Sequence, residues 1–308
     1  MDKKVAIIDL GTNTFHLLIA AWDSGQYKIL YRERLPVKIG MGGINAGIIT
    51  EAGILRAVDA LKKFKHIIER EAITKMFAFG TSALRNARNG KEVAAVIQQE
   101  TGIEVKIISG DEEAEYIYYG VRKAVNLGKS ISLIVDIGGG SIEFIIANEN
   151  KIFWKQSFEI GAQRLLERYQ EHDPILPGEV EKLYAFFAKT LIPLFEAIQK
   201  HKPTALIGSS GTFDTLSEIH CIRQGLPQQP DAPETPLTFQ SFYEIFEELL
   251  MKNRAQRLEI PGMIEMRVDM IVVACCLIKF LLDHSSFSAI RVSSYSLKEG
   301  VLALLEEE

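Results

Sequence analysis

Several short segments of the chain carry residue types that can handle phosphate. Asp136-Ile-Gly-Gly-Gly-Ser141 closes an apolar run with an acid and three consecutive glycines. Glycines let a backbone approach a ligand closely and present successive N–H groups to an anion. Asp136, at the end of its strand, can hold a divalent metal, directly or through water, opposite phosphate oxygens. Glu143 lies two residues past Ser141, where strand alternation can return its side chain to the same side. A triple glycine alone is equally a flexible hairpin with an exposed acid. The related segment Asp9-Leu-Gly11-Thr12-Asn13-Thr14 tips the reading towards a pair of phosphate-gripping hairpins.

Three further segments are ambiguous alone. Gly208-Ser209-Ser210-Gly211-Thr212 follows a short strand and opens a helix, where small residues suit an anion. It is also an ordinary turn with Thr212 as N-cap. Ser109-Gly-Asp-Glu-Glu113-Ala114 contains a capping box, Ser109-x-x-Glu112, and its acids suit the helix dipole. Glu113 is not needed for that box, and a carboxylate there can act as general base on a water. Thr81-Ser-Ala-Leu-Arg85-Asn-Ala-Arg88 follows a strand, and Arg85 or Arg88 can clamp phosphate bidentately or simply face solvent. Two decoys drop out. Gly128-Lys129-Ser130 lacks the first glycine of a P-loop, and Gly138–Gly140 lacks the third glycine of a dinucleotide fingerprint, because position 143 is Glu143.

An internal repeat supplies the elements that would position these residues. Ile7–Ala20 (IIDLGTNTFHLLIA) and Ile134–Ala147 (IVDIGGGSIEFIIA) match at Ile7/Ile134, Asp9/Asp136, Gly11/Gly138, Ile19/Ile146 and Ala20/Ala147. Each block reads as strand, Asp, glycine turn, strand. A further strand follows each, at Tyr27–Arg32 and Ile152–Phe158.

Helical periodicity then runs over Glu51–Glu71 in the first half and over Ala162–Tyr169 and Glu179–Gln199 in the second. Strands at Met76–Gly80 and Ala205–Gly208 come next. The first half continues with helix Lys91–Glu100, strand Glu104–Ile108 and helix Glu112–Val125. The second continues with helices Phe213–Ile222, Phe239–Met251 and Ile264–Leu282, strand Ala289–Val292 and a last helix from Leu297. Pro227–Pro236 reads as a surface loop.

Both halves are therefore βββαβαβα, which predicts two α/β domains facing each other across a cleft. The first spans 1–125, joined by the C-terminal helix 297–308, and the second spans 126–296. This arrangement is similar to the actin, Hsp70 and sugar-kinase superfold, in which paired Asp-Gly hairpins grip phosphates.

Composition agrees with a globular chain. It has 308 residues, 47% hydrophobic and 24% charged, close to soluble averages. The formal net charge of −5 argues against a general DNA-binding coat, although a local basic cleft can coexist with it. Arg88, Lys91, Arg122, Arg164 and Arg267 are candidates for such a cleft besides Arg85. The three cysteines make no disulfide framework and read as buried thiols. The six histidines show no zinc-ligand spacing. Asp9 interrupts the N-terminal apolar stretch, so it is no signal peptide, and Met270–Ile278 is too short to span a bilayer. A soluble, cytoplasmic protein with no membrane partner is expected, and a homodimer stays open.

Taken together, the segments above, with Pro261-Gly262, Arg267, Asp269 and Lys298-Glu-Gly300, resemble the exopolyphosphatase/guanosine pentaphosphate phosphohydrolase (Ppx/GppA) family over almost the whole chain. The resemblance implies Mg²⁺-dependent hydrolysis of a terminal phosphoanhydride, with polyphosphate or guanosine pentaphosphate as substrate and domain closure over it. It implies Glu113 as general base and Arg85 as ligand of the phosphate chain. Asp9, Asp136 and Glu143 would be metal-associated acids. The backbones at Gly11–Thr14, Gly138–Ser141 and Gly208–Thr212 would be phosphate cradles. The segment Ser293–Gly300 departs from the family's usual Gly and Arg before Glu-Gly. The chain stops at Glu308, without the extra helical domain of longer members, so weak processivity on very long chains is expected. An ATP-dependent kinase of the same superfold and a non-catalytic phosphate or nucleotide sensor are the competing readings.

Overall fold

The computed structural model describes residues 4–227 and 231–307. Its first half runs β1 (Lys4–Leu10), β2 (Thr14–Asp23), β3 (Gln26–Pro36), α1 (Glu51–Arg70), β4 (Lys75–Gly80), α2 (Ser82–Asn86), α3 (Gly90–Thr101), β5 (Lys106–Ile107) and α4 (Gly110–Ala124). The second half begins with β6 (Ser132–Ile137), β7 (Ile142–Ala147), β8 (Ile152–Phe158), α5 (Ala162–Tyr169), α6 (Pro177–Thr190), α7 (Ile192–His201), β9 (Ala205–Ser209) and α8 (Gly211–Arg223). It ends with β10 (Glu234–Thr235), α9 (Phe239–Met251), α10 (Arg254–Leu258), α11 (Ile271–His284), β11 (Ala289–Ser293) and α12 (Leu297–Glu307).

The repeat is present as a repeated topology. One sheet has the order β3-β2-β1-β4-β5, and the other has β8-β7-β6-β9-β11 with β10 added at its edge. In both, the first three strands are antiparallel, and the first strand pairs in parallel with the strand after the crossover. The registers also correspond. Asp9 lies opposite His16, and Asp136 lies opposite Glu143. Directly opposed residues share a face, so that pairing puts Asp136 and Glu143 on the same side of their sheet. This is the duplicated α/β architecture expected from the sequence.

The two sheets are joined through a common apolar layer. Val5, Ile7 and Leu18 from one sheet and Ile134, Ile145 and Ile207 from the other pack around α4 and α12. The crossing of those helices is tight: a Cβ on Gly300 would lie 1.7 Å from the Tyr116 carbonyl oxygen, and one on Gly120 would lie 2.0 Å from that of Ser296. Only hydrogen fits at either position. Each lobe has its own core on the outer face of its sheet.

Several elements differ from expectation. The helix expected over Glu179–Gln199 is two helices, α6 and α7, broken at Leu191. Pro193 sits in the first turn of α7, where its missing N–H is tolerated; within a continuous helix it would remove a bond. The helix expected from Ile264 begins at Ile271, because Glu265, Arg267 and Asp269 interrupt the apolar run and the segment turns instead. The short helices α2 and α10 are too brief for periodicity to reveal. The expected strand Glu104–Ile108 shrinks to β5. β3 extends to Pro36, with alternating exposure along an edge strand. Part of the expected Pro227–Pro236 loop lies outside the described residues, and part pairs as β10 with β11. All three cysteines are buried and free. No described helix is long and apolar enough to cross a membrane.

Candidate active site

The turn between β1 and β2 meets the turn between β6 and β7 across the interlobe cleft. The contact is close: a Cβ on Gly140 would lie 2.4 Å from Thr12 Oγ1 and 2.5 Å from Ser82 Oγ. Asn13 Nδ2 donates to Gln163 Oε1 of the opposite lobe at 3.1 Å. Arg164 Nη1 donates to the Ile44 carbonyl at 2.8 Å. The lobes are therefore closed on each other. Between the hairpins remains a cavity of about 70 Å³, bounded by Asp9, Glu113, Asp136 and Arg267 as well as the two glycine turns.

Glu113 reaches this cavity because of how α4 starts. Ser109 caps the helix and exchanges hydrogen bonds with Glu112, the expected capping box. The next residue, Glu113, turns inward and is 8% exposed. Arg85 Nη1, from α2, donates to Glu113 Oε2 at 2.7 Å. Burial pushes the Glu113 carboxyl up to about 8, against the pull of Arg85 and with help from the charges of Asp9 and Asp136. Burial also raises Asp9 to about 6, opposed by Lys298 and reinforced by Asp136 and Glu299. Glu143 is pushed well above the ordinary range by burial and then by Glu113 and Asp136. Its Oε1 accepts from Ser157 Oγ at 2.7 Å. Asp136 Oδ2 accepts from Ser209 Oγ and, at 2.6 Å, from Ser296 Oγ.

The site is therefore a nest of buried acids, in which burial first, and then neighbouring carboxylates, hold back the ionisation of Asp9, Glu113 and Glu143. Asp9 Oδ1, Thr12 Oγ1 and Asn13 Oδ1 are buried in its wall without a hydrogen-bond partner. Buried polar atoms are normally satisfied, so a cluster of exceptions marks a place built for a ligand. An all-oxygen donor set with excess negative charge suits a hard divalent cation such as Mg²⁺.

A second cavity of about 60 Å³ shares Asp9, His16, Ser210, Arg267 and Ser296 with the first and adds Arg34, Asp214 and Lys298. Its wall sets Arg32, Arg34, Arg267 and Lys298 beside Asp9, Glu33, Asp214 and Glu299. Burial and then the neighbouring Lys298, Arg34 and Arg267 push His16 well below its ordinary range. Burial pushes Asp214 up to about 6, against Arg34 and Arg267.

Of the residues singled out from sequence, Gly11, Thr12, Asn13, Thr14, Gly138, Gly139, Gly140 and Ser141 line the first cavity with Asp9, Asp136, Glu113 and Ser210. Glu143 stands behind Asp136 through the strand register. Arg85 does not line the cavity itself but contacts Glu113 and, at 3.5 Å, Ser141 Oγ.

The Gly208–Thr212 segment divides. Ser210, at φ 76°, faces the cavity, and Gly211 lies flat against the Arg267 guanidinium. Ser209 supports Asp136. Gly208 makes room for the Phe213 ring, and Thr212 is buried outside the cavity wall. The helix cap is Ser210 rather than Thr212, without a side-chain bond.

Among the candidate cations, only Arg267 lines the cleft. Arg164 braces the lobes, Arg122 pairs with Glu307, Arg88 bonds the Ala46 carbonyl, and Lys91 is exposed. Arg34, Asp214, Ser296 and Glu159 were not singled out from the sequence. The alternation of β3 carried a signal for Arg34. Nothing local marked Glu159, and Ser296 was marked only as part of the divergent Ser293–Gly300 segment.

Comparison with known proteins gives this geometry a lineage. The model of the Ppx/GppA phosphatase family matches residues 18–308. The crystal structure of an exopolyphosphatase from Cytophaga hutchinsonii superposes with a TM-score of 0.96 at 44% identity, covering 99% of this chain and 98% of that one. The Ppx/GppA family member from Aquifex aeolicus superposes with a TM-score of 0.79 at 25% identity, covering 99% and 98%. A Haemophilus influenzae relative is 27% identical over 305 residues, covering 99% of this chain and 92% of its own. With its duplicated sheet, its facing glycine hairpins and this match over nearly its full length, the chain belongs to the Ppx/GppA phosphatase family.

Proposed function

We propose that this chain is a phosphoanhydride hydrolase that releases terminal orthophosphate from inorganic polyphosphate, guanosine pentaphosphate or both. The observation that carries the reading is the placement of Glu113: a buried carboxylate beside the cavity between two glycine turns, oriented by Arg85. The similarity to an exopolyphosphatase at 44% identity favours polyphosphate.

In this reading the N–H groups at 11–14 and 138–141 bind the terminal phosphoryl oxygens. Glu113 takes the proton of a water whose oxygen attacks the terminal phosphorus. The bond from that phosphorus to the bridging oxygen breaks, and the shortened chain leaves with the electron pair. Arg85 holds phosphate oxygens and fixes the Glu113 carboxylate. Asp9 and Asp136, with Glu143 behind them, would hold Mg²⁺, which when bound offsets the charge gathering on phosphate oxygens. Closed lobes exclude bulk water from the attack.

The reading is tested by phosphate release with Mg²⁺ from long polyphosphate and from guanosine pentaphosphate, wild type beside Glu113→Gln. Release that collapses in the variant supports it, and the ratio of rates names the preferred substrate. No release from either, alongside measurable nucleotide binding, sinks it in favour of a sensor.

A further inference from the structure

Glu159 follows β8 directly and belongs to the second lobe; Arg164 of that lobe lies 3.7 Å from its Oε2, but its hydrogen bonds reach across to the first. Oε1 accepts from Arg85 Nη2 at 2.9 Å, and Oε2 accepts from Ser82 Oγ. Both donors sit on α2. The next residues bind Glu159 to the phosphate hairpin: Gly161 N donates to the Gly140 carbonyl at 3.1 Å. Arg85 thus lies between two acids, Glu113 of its own lobe at 2.7 Å and Glu159 of the other at 2.9 Å. They are not equivalent, because Glu113 is buried while the Glu159 side chain is 37% exposed. A guanidinium offers the same donor fork to a carboxylate and to a phosphate.

We propose that Glu159 is a placeholder for substrate phosphate. It holds the outer donors of Arg85 and ties the lobes shut, and an incoming phosphate chain must displace it. Glu159 is then a specificity-determining residue that weakens polyanion binding. This rests on reading Arg85 as a phosphate ligand.

A charge series at the position separates this role from a purely structural one. Tripolyphosphate affinity is read by calorimetry in Glu113→Gln protein, whose turnover is expected to be too slow to interfere. KM and kcat are read by phosphate release in protein that keeps Glu113. Glu159→Gln is expected to tighten binding by about fivefold, the upper size of a partly exposed ion pair, and to lower KM with little change in kcat. Glu159→Lys should tighten it further, and both gains should shrink as salt is raised. In an Arg85→Ala background the gain from Glu159→Gln should shrink, because the two side chains act as a pair.

Weaker binding in both Glu159 variants would overturn the proposal and leave Glu159 as a tie between lobes. A gain of full size without Arg85 would also overturn it, since Glu159 would then be a simple repulsive charge. The same holds if Arg85→Ala leaves affinity unchanged. If the affinity order holds but no variant with Glu113 releases phosphate, the placeholder stands and the hydrolase reading fails.

Discussion

Replacing Glu113 by Gln should slow turnover sharply and remove a large part of the pH dependence of stability. The folded protein holds this carboxyl at about 8 against an ordinary 4.5, chiefly through burial. Between those values the folded chain keeps a proton that the unfolded chain has released. Stability contributed by the site therefore falls as pH rises through that window, and below it the cost is absent. At about 1.4 kcal/mol per pH unit, the cost grows by up to about 4 kcal/mol from about pH 5 to about pH 8. Glutamine has no proton to hold, so the variant lacks this slope. It keeps an acceptor oxygen for Arg85, much as the protonated carboxyl does below about pH 8. The variant is thus expected to be close to the wild type near pH 5 and the more stable protein near pH 8. The assay is urea unfolding of both proteins in the presence of a chelator across that range. Stability profiles that run parallel would refute a proton held by Glu113. The same variant should release phosphate about 10²–10⁴-fold more slowly, the usual weight of a general base.

Other consequences are open to direct measurement. Because a base must be ionised to act, kcat/KM should rise with pH up to about 8, the value for Glu113 in the free protein. Raising Mg²⁺ should move that limb to lower pH; a flat profile removes Glu113 as the base. Gly140→Ala places a methyl 2.4 Å from Thr12 Oγ1, so the lobes should part: the radius of gyration should grow and phosphate release fall. Unchanged scattering with full activity would contradict the closed cleft. Gly300→Ala drives a methyl into the Tyr116 carbonyl and should cost about 1–3 kcal/mol or more while also slowing release, because α12 carries Ser296 to Asp136. Gly120→Ala should behave alike, and a fully stable, fully active protein in either case would dissociate that crossing from the site.

Much of the candidate site was legible in the chain because its two facing glycine turns are built from local backbone. Asp9 with Gly11–Thr14 and Asp136 with Gly138–Ser141 are contiguous, and a strand, a turn and a strand suffice to place them. The repeat extended this to topology, and equal spacing in the two halves is why Asp9/His16 and Asp136/Glu143 share one register. The capping box at Ser109 was equally local, and it left Glu113 as the acid with no structural duty. Where local rules competed, the sequence was a poorer guide. Gly208 looked like part of a cradle, but its missing side chain serves the Phe213 ring. The Ile264 segment had helical spacing, yet its charged residues turn it so that Arg267 reaches the cleft.

What remained invisible was whatever depends on two distant segments meeting. Glu159 lies 74 residues from its partner Arg85, and Ser296 lies 160 residues from Asp136. Nothing in either neighbourhood announces the other. The sequence by itself determined the duplicated domain, the paired hairpins and the identity of the acids, since these follow from short-range backbone preference and strand alternation. Only the tertiary structure decided how the acids perturb one another, which cations face them and how tightly the lobes close. Those properties arise from burial and from charges at a few ångströms, and both are set when α4 and α12 pack between the sheets.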